Sequence, residues 1–94
     1  MGPEINAIKR YEHLTLVDWQ EDKYLDCKGD HCPLPIIKTN KMIKTMKPDQ
    51  ILKIISTDPV STLDMAAWSH SSGHELLESI TGNDEYTFYV RKSA

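Results

Sequence analysis

Two cysteines, and the prolines that follow the second, are the residues of this sequence best suited to covalent chemistry. Four residues separate Cys27 from Cys32, and Cys32 opens the segment Cys32-Pro33-Leu34-Pro35. Proline suits a first helical turn because its missing N–H has no intrahelical partner there, so the segment predicts a helix that begins at Pro33 with Cys32 as N-cap. The sulfur would then face unpaired backbone N–H groups and the positive end of the helix dipole, which favours a nucleophilic thiolate.

The residues around Cys32 set the charge expected at this thiol. Lys28 and His31 add positive charge, and a histidine there would change its charge near neutral pH. Pro33 and Pro35 stiffen the turn. The residues alone leave two interpretations of Cys32 open, a reactive thiol with a lowered pKa or a small N-cap residue without chemistry.

Other uses of the two cysteines are less well supported by the spacing. Cys27 and Cys32 form C-x4-C rather than the C-x-x-C of redox dithiols, and Cys27 is expected to point into the core from a strand. A zinc site drawn from Cys27, Cys32, His70 and His74 has too long a spacer, and Gly73 interrupts the helix between the histidines. The sequence also lacks a glycine-rich phosphate loop. No metal and no cofactor are therefore predicted.

Hydrophobic periodicity and turn residues predict the elements that must position Cys32. The predicted order is βαβαββ, with strands at 24–27, 51–56, 74–80 and 86–91, one helix from 33 to about 46, and a second from 59 to Gly73. Each helix has a single apolar face to bury. The expected fold is therefore α+β, a two-layer α/β sandwich with two helices on one face of a four-stranded mixed sheet.

The predicted core faces of the two helices follow from residues three and four apart. In the first helix the buried stripe comprises Ile36, Thr39, Ile43 and Met46, with Met42 at its edge. In the second, Asp58 is predicted as N-cap and Pro59 as the first helical residue. Its buried stripe is predicted to comprise Val60, Leu63, Ala67 and His70.

Length and composition limit the classes of protein to consider. The chain has 94 residues, 39% of them hydrophobic and 27% charged, which is typical of one globular domain. Its formal net charge of −3 argues against a nucleic-acid binder. Neither an apolar run long enough for a membrane helix nor a signal peptide is apparent, so a cytoplasmic protein is expected. Residues 1–22 are predicted to be an extension of uncertain order and 23–94 the domain.

The segment Leu25-Asp26-Cys27-Lys28-Gly29-Asp30-His31-Cys32-Pro33-Leu34-Pro35 resembles the signature L-D-x-x-G-x-x-C-P-x-P of the TusA/SirA-like sulfur-carrier family. The similarity continues through Met46-Lys47-Pro48-Asp49, Asp58-Pro59, Gly73-His74-Glu75-Leu76 and the terminal strand, and it covers roughly residues 23–92. One departure is Asp30, where family members usually have an apolar residue. A carboxylate two residues from the nucleophile is expected to raise the pKa of Cys32.

The resemblance implies that Cys32 carries sulfur, as a persulfide or an S-thiosulfonate, by stoichiometric cysteine chemistry rather than small-molecule turnover. It also implies a donor protein, a cysteine desulfurase or a rhodanese, and an acceptor of the DsrE or TusBCD type. The implied pathways are tRNA thiolation and sulfur oxidation. The alternatives are a thiol redox protein, or a regulatory or nucleic-acid-binding module with the same fold.

A docking surface for these partners is predicted beside Cys32. Leu34 and Ile37 project away from the core stripe of the first helix, and Lys38 and Lys41 flank them. An exposed apolar pair beside a reactive group, with a basic rim, is typical of a partner-binding site. The alternative is that Leu34 and Ile37 pack under the N-terminal extension.

Overall fold

The computed structural model describes residues 19–93 of the chain. It contains β1 (Lys23–Cys27), α1 (Leu34–Lys44), β2 (Ile51–Ser56), α2 (Ser61–Ser72), β3 (Glu75–Thr81) and β4 (Tyr86–Arg91). The predicted order βαβαββ is confirmed. Within residues 19–93, no helix has the length and apolar character needed to cross a membrane.

The four strands form one mixed sheet in the order β1-β2-β4-β3. β1 and β2 are parallel, with Cys27 opposite Ser56, because α1 returns the chain to the edge at which β1 began. β4 is antiparallel to both β2 and β3. The predicted α+β fold, with two helices on a four-stranded mixed sheet, is confirmed, and it places the loops after β1 and β2 side by side at one end of the sheet.

The core lies between the helices and one face of this sheet. Alternate residues of the central strands point into it, as Leu52 and Ile54 of β2 and Phe88 and Val90 of β4 do, all with 0% exposure. The predicted stripe of α1 is confirmed: Thr39, Ile43 and Met46 are buried, and Ile36 and Met42 pack against the cluster. Cys27 is buried in the same cluster.

The predicted core face of α2 is wrong. The buried residues are Ser61, Met65 and Trp68, whereas Leu63 is 75% exposed and Val60 46% exposed. The predicted members Ala67 and His70 are exposed as well. The helix turns its two largest apolar side chains inward, and the buried Ser61 hydroxyl is satisfied by the Ser56 Oγ at 2.5 Å.

The ends of α2 confirm one prediction and correct another. Gly73 has φ +84° and adopts the left-handed conformation that ends the helix, as predicted. The start is two residues later than expected, because Val60 rather than Asp58 is the N-cap. Asp58 still orders the approach to the helix, since its carbonyl accepts a 2.9 Å hydrogen bond from the Ser61 N–H.

Residues 19–22 are attached to the sheet. The Trp19 Nε1–H donates to the Glu78 carboxylate of β3 at 2.8 Å. Asp22 donates its N–H to the Ile51 carbonyl at 2.7 Å and accepts the Ile51 N–H on Oδ2 at 2.8 Å. The remainder of the predicted extension, residues 1–18, lies outside the described residues.

Candidate functional site

Two adjacent loops build the candidate site at the carboxyl ends of the parallel strands β1 and β2. Gly29 has φ +84°, which glycine adopts without the strain imposed by a side chain. Its N–H donates to the Thr57 Oγ1 at 2.9 Å. The Cys32 N–H donates to the Asp58 Oδ2 at 2.8 Å. These two bonds tie the loop that contains Cys32 to the loop that precedes α2.

The Asp58 carboxylate is the main anchor of this junction. Besides the Cys32 N–H, it accepts the Val60 N–H on Oδ1 at 3.0 Å. The hydrogen bonds from Val60 and Cys32 hold the pKa of Asp58 below its ordinary value, and the charge of His31 lowers it further. Asp58 therefore carries a fixed negative charge close to Cys32.

The Cys32 side chain is exposed, but it is not the N-cap of α1. That position is occupied by Pro33, with φ −99° and ψ 17°, and the helix begins at Leu34. The Cys32–Pro33 peptide bond is cis. The Leu34 N–H donates to the His31 carbonyl at 2.8 Å and closes a turn around Cys32. The predicted N-cap role is wrong by one residue, and no side chain caps the helix through a hydrogen bond.

The pKa of Cys32 is raised, not lowered as in one of the two interpretations left open by the sequence, and Asp30 is not among the causes. The interaction of the thiol with the carboxylate of Asp64, in the first turn of α2, is the largest cause of a raised pKa of Cys32. Partial burial and the charges of Asp64 and Asp58 raise the pKa further. A carboxylate beside a thiol stabilises its neutral form, which explains the direction of the shift.

Cys32 opens onto a groove between the two helices. The groove has a volume of about 370 Å³, and its walls are mostly apolar. It is lined by Cys32, Pro33, Ile36, Asp64, Ala67, Trp68 and Ser71. The Trp68 Nε1–H donates to the Asn40 Oδ1 at 2.7 Å and so connects α2 to α1. The arrangement provides an accessible sulfur, an adjacent carboxylate and an apolar cleft.

Cys27 occupies a very different environment. It has no exposed surface, and burial is the main cause that raises its pKa to about 11, with a further contribution from the charge of Asp30. Both cysteines are free thiols. A buried thiol with so high a pKa is a poor nucleophile. Within residues 19–93, no three His, Cys, Asp or Glu side chains lie together in a group that could hold a metal ion.

The residues predicted to surround the thiolate take several different positions. Lys28 is exposed, and its N–H donates to the Asp26 Oδ1 at 2.9 Å. His31 is exposed, and its charge lowers the pKa of Asp58. Pro35 is buried in the first turn of α1. None of the three is among the causes that shift the Cys32 pKa.

The structure exposes the two apolar residues of the predicted docking surface, but its two lysines are placed differently from the prediction. Leu34 and Ile37 are 40% and 44% exposed on α1, as the pattern predicts. Lys38 instead forms a 2.5 Å ion pair with Asp30, so much of its charge is neutralised. Lys41 lines a second cavity of about 310 Å³ between α1 and β1. The basic rim is therefore weaker than the sequence indicates.

Sequence analysis missed Asp64 and Trp68 as residues of the site. Asp64 has no sequence neighbour that suggests chemistry, and it meets Cys32 only because the loops after β1 and β2 adjoin. Trp68 was not assigned to the buried face of α2 at all. A helical wheel with Met65 and Trp68 facing inward would have placed Asp64 toward α1.

Comparisons with known proteins identify relatives that match most of this chain. Residues 23–92 match the family model described as sulfurtransferase TusA. The chain is 41% identical over 73 residues to YrkI of Bacillus subtilis, covering 78% of this chain and 97% of the relative. It is 39% identical over 72 residues to the sulfur carrier protein TusA of Allochromatium vinosum, covering 77% and 95%.

A solved structure shows the same fold at low sequence identity. The crystal structure of a SirA-like protein from Desulfitobacterium hafniense superposes with a TM-score of 0.66 at 15% identity. The match covers 77% of this chain and 99% of that protein.

Proposed function

Because the chain belongs to the TusA sulfurtransferase family, we propose that it is a sulfur carrier whose carrying residue is Cys32. The observation that supports this most directly is the contrast between the two thiols. Cys32 is exposed at the mouth of an apolar groove, whereas Cys27 is fully buried. A relay between two large partners needs a sulfur that both can reach.

The proposed mechanism is trans-persulfidation. Cys32 attacks the outer sulfur of a persulfide on the donor, retains that sulfur as its own persulfide, and yields it to an acceptor cysteine. The donor is a protein of the cysteine desulfurase or rhodanese class, and the acceptor is of the DsrE or TusBCD type. The transfer serves tRNA thiolation or sulfur oxidation, and we place it in the cytoplasm, where free thiols persist.

Partner docking is proposed at the exposed apolar residues of α1. Leu34 and Ile37 lie within five residues of Cys32, and each exposes about two fifths of its surface. Lys41 adds positive charge along the same helix, whereas Lys38 is engaged with Asp30. An apolar centre with a polar border is the usual anatomy of a protein interface.

Intact-protein mass spectrometry tests the assignment. The protein is incubated with a cysteine desulfurase and L-cysteine, and its mass is recorded before and after reduction with dithiothreitol. Wild type is expected to gain one sulfur atom, removable by reduction. Cys32→Ser is expected to gain none, because a serine hydroxyl is not ionised near neutral pH.

Cys27→Ala is the matched control. It is expected to load like wild type while losing about 1–2 kcal/mol of stability, because a small buried side chain is truncated. Circular dichroism verifies that both variants fold. If Cys27→Ala abolishes loading, or if wild type loses two hydrogens instead of gaining sulfur, a dithiol redox function replaces the carrier. If wild type gains no mass, the carrier assignment is wrong.

A further inference from the structure

A carboxylate from a different element faces the carrying sulfur. Asp64 of α2 and Cys32 of the β1–α1 loop line the same groove, and Asp64 is the largest cause of the raised pKa of Cys32. The other charged group acting on Cys32 is Asp58, from the loop that precedes α2. Both of these groups are negative. The positive charge of His31 lowers the pKa of Asp58.

Asp58 and Asp64 differ in how they are engaged. Asp58 is committed to the backbone, with one oxygen on the Cys32 N–H and the other on the Val60 N–H. The Asp64 side chain lines the groove that Cys32 also lines. It is therefore the group placed to exchange a proton with Cys32.

We propose that Asp64 is a catalytic residue that accepts and returns the proton of Cys32, and that its negative charge makes the site selective for sulfane sulfur from a persulfide over anionic thiosulfate-type donors. The inference rests on the proposed carrier function and deepens it by naming the class of cargo. A persulfide can be held as the neutral –S–SH group, with its proton shared with Asp64. A thiosulfonate brings a permanent sulfonate charge into a site that already holds two carboxylates.

The transfer balances without an added oxidant or reductant. Asp64 takes the proton from the Cys32 thiol, and the resulting thiolate attacks the outer sulfur of the donor group R–S–S–H. A new S–S bond forms, the donor's S–S bond breaks, and its electron pair stays on the inner sulfur. That sulfur takes up the proton, giving R–SH and Cys32–S–S–H. The donor sulfur is reduced as the Cys32 sulfur is oxidised.

The first test measures the pH dependence of Cys32 alkylation by iodoacetamide. Trypsin cleaves at Lys28, between the two cysteines, so peptide mass spectrometry reports Cys32 separately. Asp64→Asn and Asp64→Ser are expected to lower the apparent pKa of Cys32 by about one unit, because the proton acceptor and its charge are removed. Asp64→Glu is expected to retain most of the raised pKa.

The second test measures charge selection. The rate of Cys32 modification by tetrathionate, a dianion, is divided by the rate with 2,2′-dithiodipyridine, which is neutral at pH 7. This ratio cancels changes in thiolate fraction. Asp64→Asn is expected to raise the ratio about tenfold at low ionic strength, and added salt is expected to reduce the difference.

Glu85→Gln provides the matched control, because it removes one negative charge from the exposed β3–β4 turn. It is expected to change neither the alkylation profile nor the ratio. The proposal is overturned if Asp64→Asn matches wild type in both measurements, or if Glu85→Gln shifts them equally. Wild-type persulfide loading separates this failure from that of the carrier function, which fails only if wild type acquires no sulfur.

Discussion

The hydrogen bond between Trp68 and Asn40 determines how Asn40→Ala changes the stability of the protein. This substitution is expected to destabilise the wild type but to stabilise the Trp68→Phe variant. The Trp68 indole is 7% exposed and donates to the Asn40 amide oxygen at 2.7 Å. A bond of this kind stabilises a protein by about 1 kcal/mol. Asn40 lies within α1, where alanine is a better helix former than asparagine by about 0.6 kcal/mol.

Asn40→Ala in the wild type is therefore expected to destabilise the fold by only about 0.4 kcal/mol, because the helix gain offsets most of the lost bond. Trp68→Phe removes the bond and part of a large buried side chain, and a loss of about 2–3 kcal/mol is expected. In the Trp68→Phe background no bond remains to be lost. Asn40→Ala is then expected to stabilise by about 0.6 kcal/mol, which gives a coupling energy of about 1 kcal/mol.

Urea unfolding followed by far-UV circular dichroism measures the four free energies of this cycle. Lys44→Ala, at an exposed site on the same helix, is the control and is expected to have the same effect in both backgrounds. The reasoning is refuted if Asn40→Ala has equal effects with and without the indole. In that case the bond contributes nothing to the attachment of α2 to α1.

Two further predictions concern the anchor of the Cys32 loop and the docking surface. The lowered pKa of Asp58 means that its carboxylate stabilises the fold above its unfolded value near 3.8, a contribution lost as the pH falls through the folded value. The urea midpoint of Asp58→Asn is thus expected to be lower than that of wild type at pH 7 and to fall less between pH 7 and pH 3; an identical pH profile would contradict this. Ile37→Glu is expected to slow sulfur transfer to an acceptor protein about tenfold or more, while leaving the circular dichroism and the reaction of Cys32 with neutral 2,2′-dithiodipyridine unchanged. Ile80→Glu, on the distant β3, is the control, and unimpaired transfer by folded Ile37→Glu would remove the docking surface from α1.

Strand alternation, helical periodicity and turn residues correctly predicted the buried face of β2, the buried face of α1 and the end of α2. Leu52 and Ile54 alternate with half-buried residues in β2, as a strand with one covered face requires. The stripe through Thr39 and Ile43 follows the helical period along the whole of α1, and the helix buries this face. Gly73 was identifiable because a helix end of this type needs a residue that tolerates positive φ.

The predictions were wrong where the sequence is compatible with two buried faces of a helix or with two positions of a helix start. α2 has apolar residues on both sides, and only packing against the sheet chooses Met65 and Trp68 over Leu63. Pro33 and Pro35 are both compatible with a first helical turn, and the one-residue displacement of the helix start removed Cys32 from the N-cap. The encounter of Cys32 with Asp64 depends on two loops joined across the sheet, which no local pattern contains.

A thiol with a raised pKa suits the proposed carrier function. In the proposed transfer, Cys32 is the leaving group when the carried sulfur is surrendered, and thiols of higher pKa leave more slowly. The persulfide is therefore protected from small thiols in solution until an acceptor docks. The same carboxylates that raise the pKa of Cys32 also repel anionic thiols from the groove. In this proposal, release is left to an acceptor protein that binds beside Asp64, the residue that returns the proton to the departing sulfur.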